Sequence, residues 1–346
     1  MNKAFVTTEL GPIIMGGINL WMDSFLTHVY PKIPGNKIVL LELGDMDDFH
    51  IANALAYKDD IEYRWPEVKF VFSQPEREAY TDVLKHADEV HFLTVPYTVG
   101  SHEEYLQDYE NANETSILIH SFEEDSLNYI AEYWQESLDR YNERKYTDKM
   151  QRYLMEKCDK IGWIGVNPDK RTTHHVPNNY VFRHYSPSNE SNILGFGARC
   201  EIRKNPHYLE FIRSVALTNV DEYNYWKKKV DLSATELLNF DKSFIRYFYS
   251  SHLWGIFHAC YAVEPFGYSI FQAADHGKIP ILHKKWWNKL DYDIVADSKE
   301  SFDKQYKRIS MMDTKERDKK IKKLVEQLKE FDNIDKWVER LVKFYG

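Results

Sequence analysis

Ala4-Phe5-Val6, then Glu9-Leu10-Gly11-Pro12-Ile13-Ile14-Met15-Gly16-Gly17, then Asn19 to Tyr30: a short apolar run, a glycine-bearing loop and a segment with helical spacing of its apolar residues. Strand, glycine loop, helix is the opening unit of a doubly wound α/β domain. The pattern continues outward. Lys37 to Leu43, Val68 to Ser73, Val90 to Val95 and Ser116 to His120 are further strand-sized apolar runs, separated by polar segments of helix length. Such alternation predicts a parallel sheet with helices on both faces. Asp125 to Lys157 reads as helix, and Lys160 to Val166 returns to strand.

The stretch Asn167 to Asn192 is rich in Pro, Asn, Ser and Thr, and Pro168, Pro177 and Pro187 break any periodicity, which marks a linker. A second α/β series opens at Asn192-Ile193-Leu194-Gly195-Phe196-Gly197 and continues through strands over Phe257 to Val263 and Lys278 to His283. The tail from Asp313 to Tyr345 carries Ile321, Leu324, Val325, Leu328, Trp337, Leu341 and Phe344 at amphipathic-helix spacing. Residues 1–175 and 192–330 are therefore expected to form two α/β domains facing a cleft, with 331–346 a terminal helix that can cross back to the first.

Composition narrows the function classes. Apolar residues make up 43% of the 346 and charged residues 29%, a globular balance that excludes a disordered or fibrous chain. No apolar run approaches the roughly 18 residues of a membrane span. The start runs directly into a strand without the pattern of a secretory signal, and three cysteines with no CxxC pair argue against a disulfide framework, so a reducing cytoplasm is expected. The net charge of −9 disfavours nucleic acid as a partner, but twelve acids against one base fall between Ser101 and Glu143, which leaves the rest of the chain close to balance.

Two segments carry chemistry. In Gly195-Phe196-Gly197-Ala198-Arg199-Cys200-Glu201-Ile202-Arg203-Lys204-Asn205-Pro206 a strand ends in glycines and delivers Arg199 and Lys204, five positions apart, into one loop. A planar guanidinium and a point-charge ammonium can together clamp a diphosphate whose charge grows as it leaves, although the same pair also suits a solvated loop. In Glu264-Pro265-Phe266-Gly267-Tyr268-Ser269-Ile270-Phe271-Gln272, a turn leads into a helix ending near His276. Its N-terminal N–H groups can receive phosphate, Glu264 can accept hydrogen bonds from sugar hydroxyls, and Gln272 lies on the same side. A plain strand–turn–helix with one capping acid is the competing interpretation.

These two segments resemble the C-terminal half of retaining GT-B glycosyltransferases of the glycogen-synthase-like group. That family has Gly-Arg followed five residues later by Lys, then Glu-Pro-Phe-Gly, a second Glu eight positions after the first, and Gly-Lys-Pro-Val. Arg199 and Lys204, Glu264-Pro265-Phe266-Gly267 and Gly277-Lys278-Ile279-Pro280 match, with Ala198 in place of the glycine and Gln272 in place of the second Glu. The loop with Gly16 and Gly17 is similar to the family's first glycine loop at the donor phosphate, and Ser116 to His120 resembles its strand ending in a sugar-contacting histidine.

The resemblance implies transfer of a sugar from a nucleotide-diphosphate donor with retention at the anomeric carbon. It implies diphosphate contacts from Arg199 and Lys204, sugar contacts from Glu264 and His120, and donor binding by Gly16, Gly17, Phe266, Gly267, Tyr268 and Gln272. The co-substrate is expected to be a UDP-sugar rather than a GDP-sugar, with no tightly bound cofactor and no metal; Asp45-Met46-Asp47 is read as a loop coincidence. Size and motif order look similar to bacteriophage DNA α-glucosyltransferases, which would make the acceptor a hydroxymethylated pyrimidine in DNA. Trp226-Lys227-Lys228-Lys229, Lys284-Lys285-Trp286-Trp287 and Arg171 to His175 are the candidate DNA contacts. A cell-envelope or capsule saccharide is the rival acceptor; a sugar-nucleotide epimerase and a non-catalytic nucleotide-sugar-binding protein are the rival classes.

Overall fold

The computed structural model describes residues 1–8, 17–42, 56, 58–73, 76–95, 112–133, 138–183, 186–187, 189–239 and 242–346. The chain divides into two compact units. The first comprises Met1–Glu124, Leu138–Asn178 and Asp335–Gly346, and the second Asp125–Ser137 and Asn179–Ile334.

The first unit is built on seven strands: β1 (Asn2–Thr7), β2 (Asn36–Leu41), β3 (Lys69–Phe72), β4 (Glu89–Phe92), β5 (Glu114–Ile119), β6 (Lys160–Trp163) and β7 (His174–His175). They lie in the order β3-β2-β1-β4-β5-β6-β7 with every pairing parallel. Parallel strands are covered on both faces, which is why Ala4, Phe5 and Val6 are all fully buried in succession rather than alternating. After β1 the chain forms the helix Gly17–Ser24 and a wider π-type turn over Phe25–Val29. Trp21, Met22, Phe25, Leu26 and Val29 are buried at helical intervals along it. Where one helix was expected over Asp125 to Lys157, two are described, Glu123–Tyr133 and Leu138–Lys157.

A buried charge fastens this unit. Lys3 on β1 pairs with Glu89 on β4 at 2.5 Å and donates to the Tyr345 carbonyl at 2.7 Å, at the end of the helix Ile334–Tyr345. His91 completes the cluster, 3.2 Å from Glu89 and 2.9 Å from the Ser116 hydroxyl. Burial works against ionising Glu89, but His91 and Lys3 outweigh it and hold the carboxyl at about 2.

The second unit has six strands: β8 (Leu194–Gly197), β9 (Ser214–Thr218), β10 (Thr235–Asn239), β11 (Ile256–Ala259), β12 (Ile279–His283) and β13 (Val295–Ala296), again all parallel, in the order β10-β9-β8-β11-β12-β13. The strand expected over Phe257 to Val263 ends at Ala259, and the residues beyond it turn toward the helix Tyr268–Asp275. Gly195 admits Trp254 against β8: a Cβ there would lie 2.3 Å from the indole. The buried Arg317 ties the entry segment down, donating to the carbonyls of Asn189, Ser191 and Ile309. Cys158, Cys200 and Cys260 are free and buried, and burial pushes the Cys158 and Cys200 thiols up to about 12. Among the described residues no helix is long and apolar enough to cross a membrane.

Candidate active site

In the second sheet β8 stands with β9 on one side and β11 on the other, so the strand order reverses between β8 and β11. Loops leaving the carboxyl ends of two such strands run in opposite directions and leave a crevice, where ligands bind in open α/β sheets. Arg199 and Lys204 leave β8, and Glu264 and Gly267 leave β11. Strand order alone thus brings both sequence motifs to one place.

Within that crevice Lys204 Nζ pairs with Glu264 Oε2, and both side chains are largely buried. Lys204 ends a short 3₁₀ turn, Ile202–Lys204, and its ammonium sits 4.5 Å from the centre of the Tyr261 ring. Burial pulls the Lys204 ammonium down from the ordinary lysine range and Arg203 adds to this, while Glu264 opposes both. Gly267 has φ +78°, and a Cβ on it would fall 2.9 Å from Glu264 Cγ. It begins the helix Tyr268–Asp275 without a side-chain cap. The first N–H groups of that helix keep their positive end for an anion.

Arg199 is placed differently from Lys204. Its side chain is 58% exposed, and among the described residues its ion pair is a loose one, 3.7 Å from the buried Glu201. Glu201 binds Arg203 more closely, at 2.8 Å, and Arg203 also reaches the hydroxyl of Ser126 at 3.4 Å. Arg203 is a further candidate that the motif spacing passed over; its signal was the Arg-Lys doublet within the 3₁₀ turn. The Phe266 ring is buried, stacked on Phe271 at 4.5 Å and set edge-on to Phe331, so the side chain is part of the core. Tyr268 packs edge-on against Phe266 at 5.0 Å, and burial raises its hydroxyl above the usual tyrosine range. The half-buried Gln272 side chain makes no hydrogen bond to a described residue, while its carbonyl accepts from His276.

In the first unit His120 follows β5 directly. Its Nε2 lies 2.9 Å from the Leu93 carbonyl, which can only accept, so Nε2 carries the proton and Nδ1 keeps its lone pair. The ring meets Trp21 edge-on at 5.0 Å, and burial pushes its pKa down to about 4, which keeps the imidazole neutral. Gly17 opens the helix after β1. Gly16 and Asp45-Met46-Asp47 lie outside the described residues.

The aromatic residues expected to grip a flipped base do not stand free. Trp226, Trp286 and Trp287 are all buried, whereas the lysines beside them, Lys227 to Lys229, Lys284 and Lys285, are exposed. The Arg171 fork is taken by Asp169, at 2.9 and 2.7 Å, and its plane covers the Phe122 ring. A cavity of about 340 Å³ lined by Arg213, Ser214, Ser233, Thr235 and Glu236 sits at the amino ends of β9 and β10, the wrong end of the sheet for these motifs. Among the described residues no cluster of three metal-binding side chains occurs.

No protein-family model matches the chain, and no curated protein does. Solved structures do. An alpha-glucosyltransferase in complex with UDP is similar over 99% of both chains at 10% identity, with a TM-score of 0.64. An alpha-glucosyltransferase in complex with UDP and a 13-mer DNA containing a HMU base covers 100% of this chain and 99% of its own, at 11% identity and a TM-score of 0.63. Sucrose-phosphate synthase from Thermosynechococcus elongatus covers 99% and 98%, at 12% identity and 0.66. With two doubly wound parallel sheets in one chain and matches spanning nearly all of it, the protein has the GT-B glycosyltransferase fold.

Proposed function

We propose that the protein is a retaining glycosyltransferase that moves a sugar from a UDP-sugar to a hydroxyl, and that the hydroxyl is that of a hydroxymethylated pyrimidine in DNA. The observation that carries the transferase assignment is the Lys204–Glu264 pair at the crevice between β8 and β11, beside the uncapped helix that starts at Gly267. A nucleoside diphosphate needs cations and N–H donors where its charge develops, and the crevice offers both. In the resting site Glu264 neutralises Lys204. A bound donor would draw the ammonium to its diphosphate and leave the carboxylate to accept from sugar hydroxyls, which turns one ion pair into two oriented contacts. Arg199, exposed beside the crevice, would close on the same diphosphate, and Gln272 would hold the ribose. The neutral His120 would accept from a sugar hydroxyl at Nδ1. Retention follows if the acceptor attacks on the face where the leaving phosphate stands, since that phosphate then takes the acceptor proton and no protein nucleophile is needed.

The acceptor assignment is supported by the alpha-glucosyltransferases bound to UDP-glucose or UDP together with DNA among the similar folds. The buried thiols suit a reducing compartment, and we place the reaction in the cytoplasm. Incubation with a panel of UDP- and GDP-sugars and DNA containing hydroxymethylcytosine or hydroxymethyluracil, followed by mass spectrometry of the nucleosides, tests the whole proposal. A hexose mass gain from a UDP-sugar supports it. Transfer to a saccharide with none to DNA removes the DNA acceptor, and epimerised donor without transfer removes the transferase.

A further inference from the structure

We propose that Asn205 and His258 are positioning residues that hold Lys204 against Glu264, through a closed ring of three hydrogen bonds between the Lys204 turn and the end of β11. The inference rests on the transferase assignment above and names how its site is kept in register. The Asn205 side-chain amide donates to the Cys260 carbonyl at 2.7 Å, the Cys260 N–H donates to His258 Nδ1 at 3.3 Å, and His258 Nε2 lies 3.0 Å from the Asn205 carbonyl. That carbonyl only accepts, so Nε2 bears the proton and Nδ1 is left as the acceptor that the Cys260 N–H requires; one tautomer satisfies the whole ring.

Every member of the ring is buried, so its polar atoms have no water to fall back on and the geometry is obligatory. Asn205 adopts φ 52°, ψ 50°, a left-handed conformation that ends the Lys204 turn and starts the next one at Pro206. Two further contacts carry the register toward the ion pair. The Ala262 N–H donates to the Arg203 carbonyl at 2.8 Å, and the His258 ring stacks at 5.9 Å on Tyr261, the ring over which the Lys204 ammonium sits. Loss of the ring would free the turn that carries Lys204 to shift, and a misplacement of about 1 Å at a reacting group can cost about 10²-fold in rate.

Three variants test it with UDP-glucose hydrolysis and UDP binding as readouts. Asn205→Gly keeps the left-handed backbone and the carbonyl and deletes only the amide; kcat of the folded protein is expected to fall about tenfold or more. His258→Gln can place an amide N–H near the Nε2 position and should retain about a third of the wild-type kcat, whereas the shorter His258→Asn should lose about tenfold. A folded Asn205→Gly protein with wild-type kcat, or equal losses in His258→Gln and His258→Asn, would overturn the inference, because a merely stabilising ring would lower the melting temperature and leave turnover untouched. Where a variant does not fold, nitrogen-15 spectra of the wild-type imidazoles decide: a neutral, Nε2-protonated His258 over roughly pH 5 to 9 is required, and an Nδ1-protonated ring refutes it. A wild-type protein that neither binds UDP nor turns over any nucleotide sugar refutes the transferase assignment instead, whatever the tautomer.

Discussion

Lys204 and Glu264 are sixty residues apart in the chain and meet as an ion pair beyond the carboxyl ends of neighbouring strands. Among the described residues each is the other's direct ion-pair partner in a largely dry setting, so removing one leaves a buried charge behind. Lys204→Ala is expected to lower kcat/KM for the donor by about 10²-fold or more, and Glu264→Gln by about tenfold or more. The double variant should lose less than the product of the two. A double-mutant cycle on UDP-sugar hydrolysis measures this, and strict additivity would mean that the pair does not act as a unit.

The two arginines that share Glu201 should separate by readout. Arg199→Ala, at an exposed position, should raise donor KM several-fold with little effect on melting temperature. Arg203→Ala removes a 2.8 Å ion pair from the buried Glu201 and should destabilise the protein by about 1–3 kcal/mol, seen as a lower denaturation midpoint.

Gly267→Ala puts a Cβ at positive φ and 2.9 Å from Glu264 Cγ. The strain is about 1–2 kcal/mol, and Glu264 must move to relieve the contact. Activity should therefore fall further than stability does, with hydrolysis rates and thermal melts compared on the same preparation.

Lys3→Met removes the cation from a buried carboxylate and is expected to cost about 3–5 kcal/mol of stability. Adding Glu89→Gln should recover part of it, because the uncompensated charge is then gone. Urea denaturation of the single and double variants provides the comparison.

Acid should destabilise the protein well above the carboxylate range. Burial holds His258 at about 3 and His120 at about 4, far below an ordinary histidine near 6.5. Both are neutral in the folded state, whereas the unfolded chain takes up protons below about 6.5, so stability is complete above that pH and falls as pH drops toward 4. Each group contributes a slope of about 1.4 kcal/mol per pH unit across its window. His258→Gln should flatten the profile between roughly pH 6.5 and 4. The depressed Glu89 loses its contribution only lower, between about 4.5 and 2.

The parallel sheets were legible because strands buried on both faces read as unbroken apolar runs, as Ala4-Phe5-Val6 does. β9 and β10 were not singled out: Ser214-Val215-Ala216-Leu217-Thr218 and Thr235-Glu236-Leu237-Leu238-Asn239 have polar ends, and β10 is an edge strand with a half-wet face. Motif spacing found Lys204 and Glu264, since strand order at the β8–β11 reversal converts two sequence positions into one location. It did not reveal that Phe266 and the tryptophans are core, because an aromatic side chain beside lysines reads the same whether it faces ligand or a second apolar layer. The Asn205–His258 ring was invisible for a related reason: a histidine inside Ile256-Phe257-His258-Ala259 carries no local sign of the carbonyl that it will meet.

The helix Ile334–Tyr345 belongs with a sheet whose first strand begins at Asn2, and Lys3, already paired with Glu89, gains its second acceptor from the Tyr345 carbonyl. During synthesis Lys3 can meet Glu89 early, but its second acceptor arrives only after the whole of the second unit has been made. Released chains truncated after Ile334 should hold a protease-resistant second unit while the first remains cleavable.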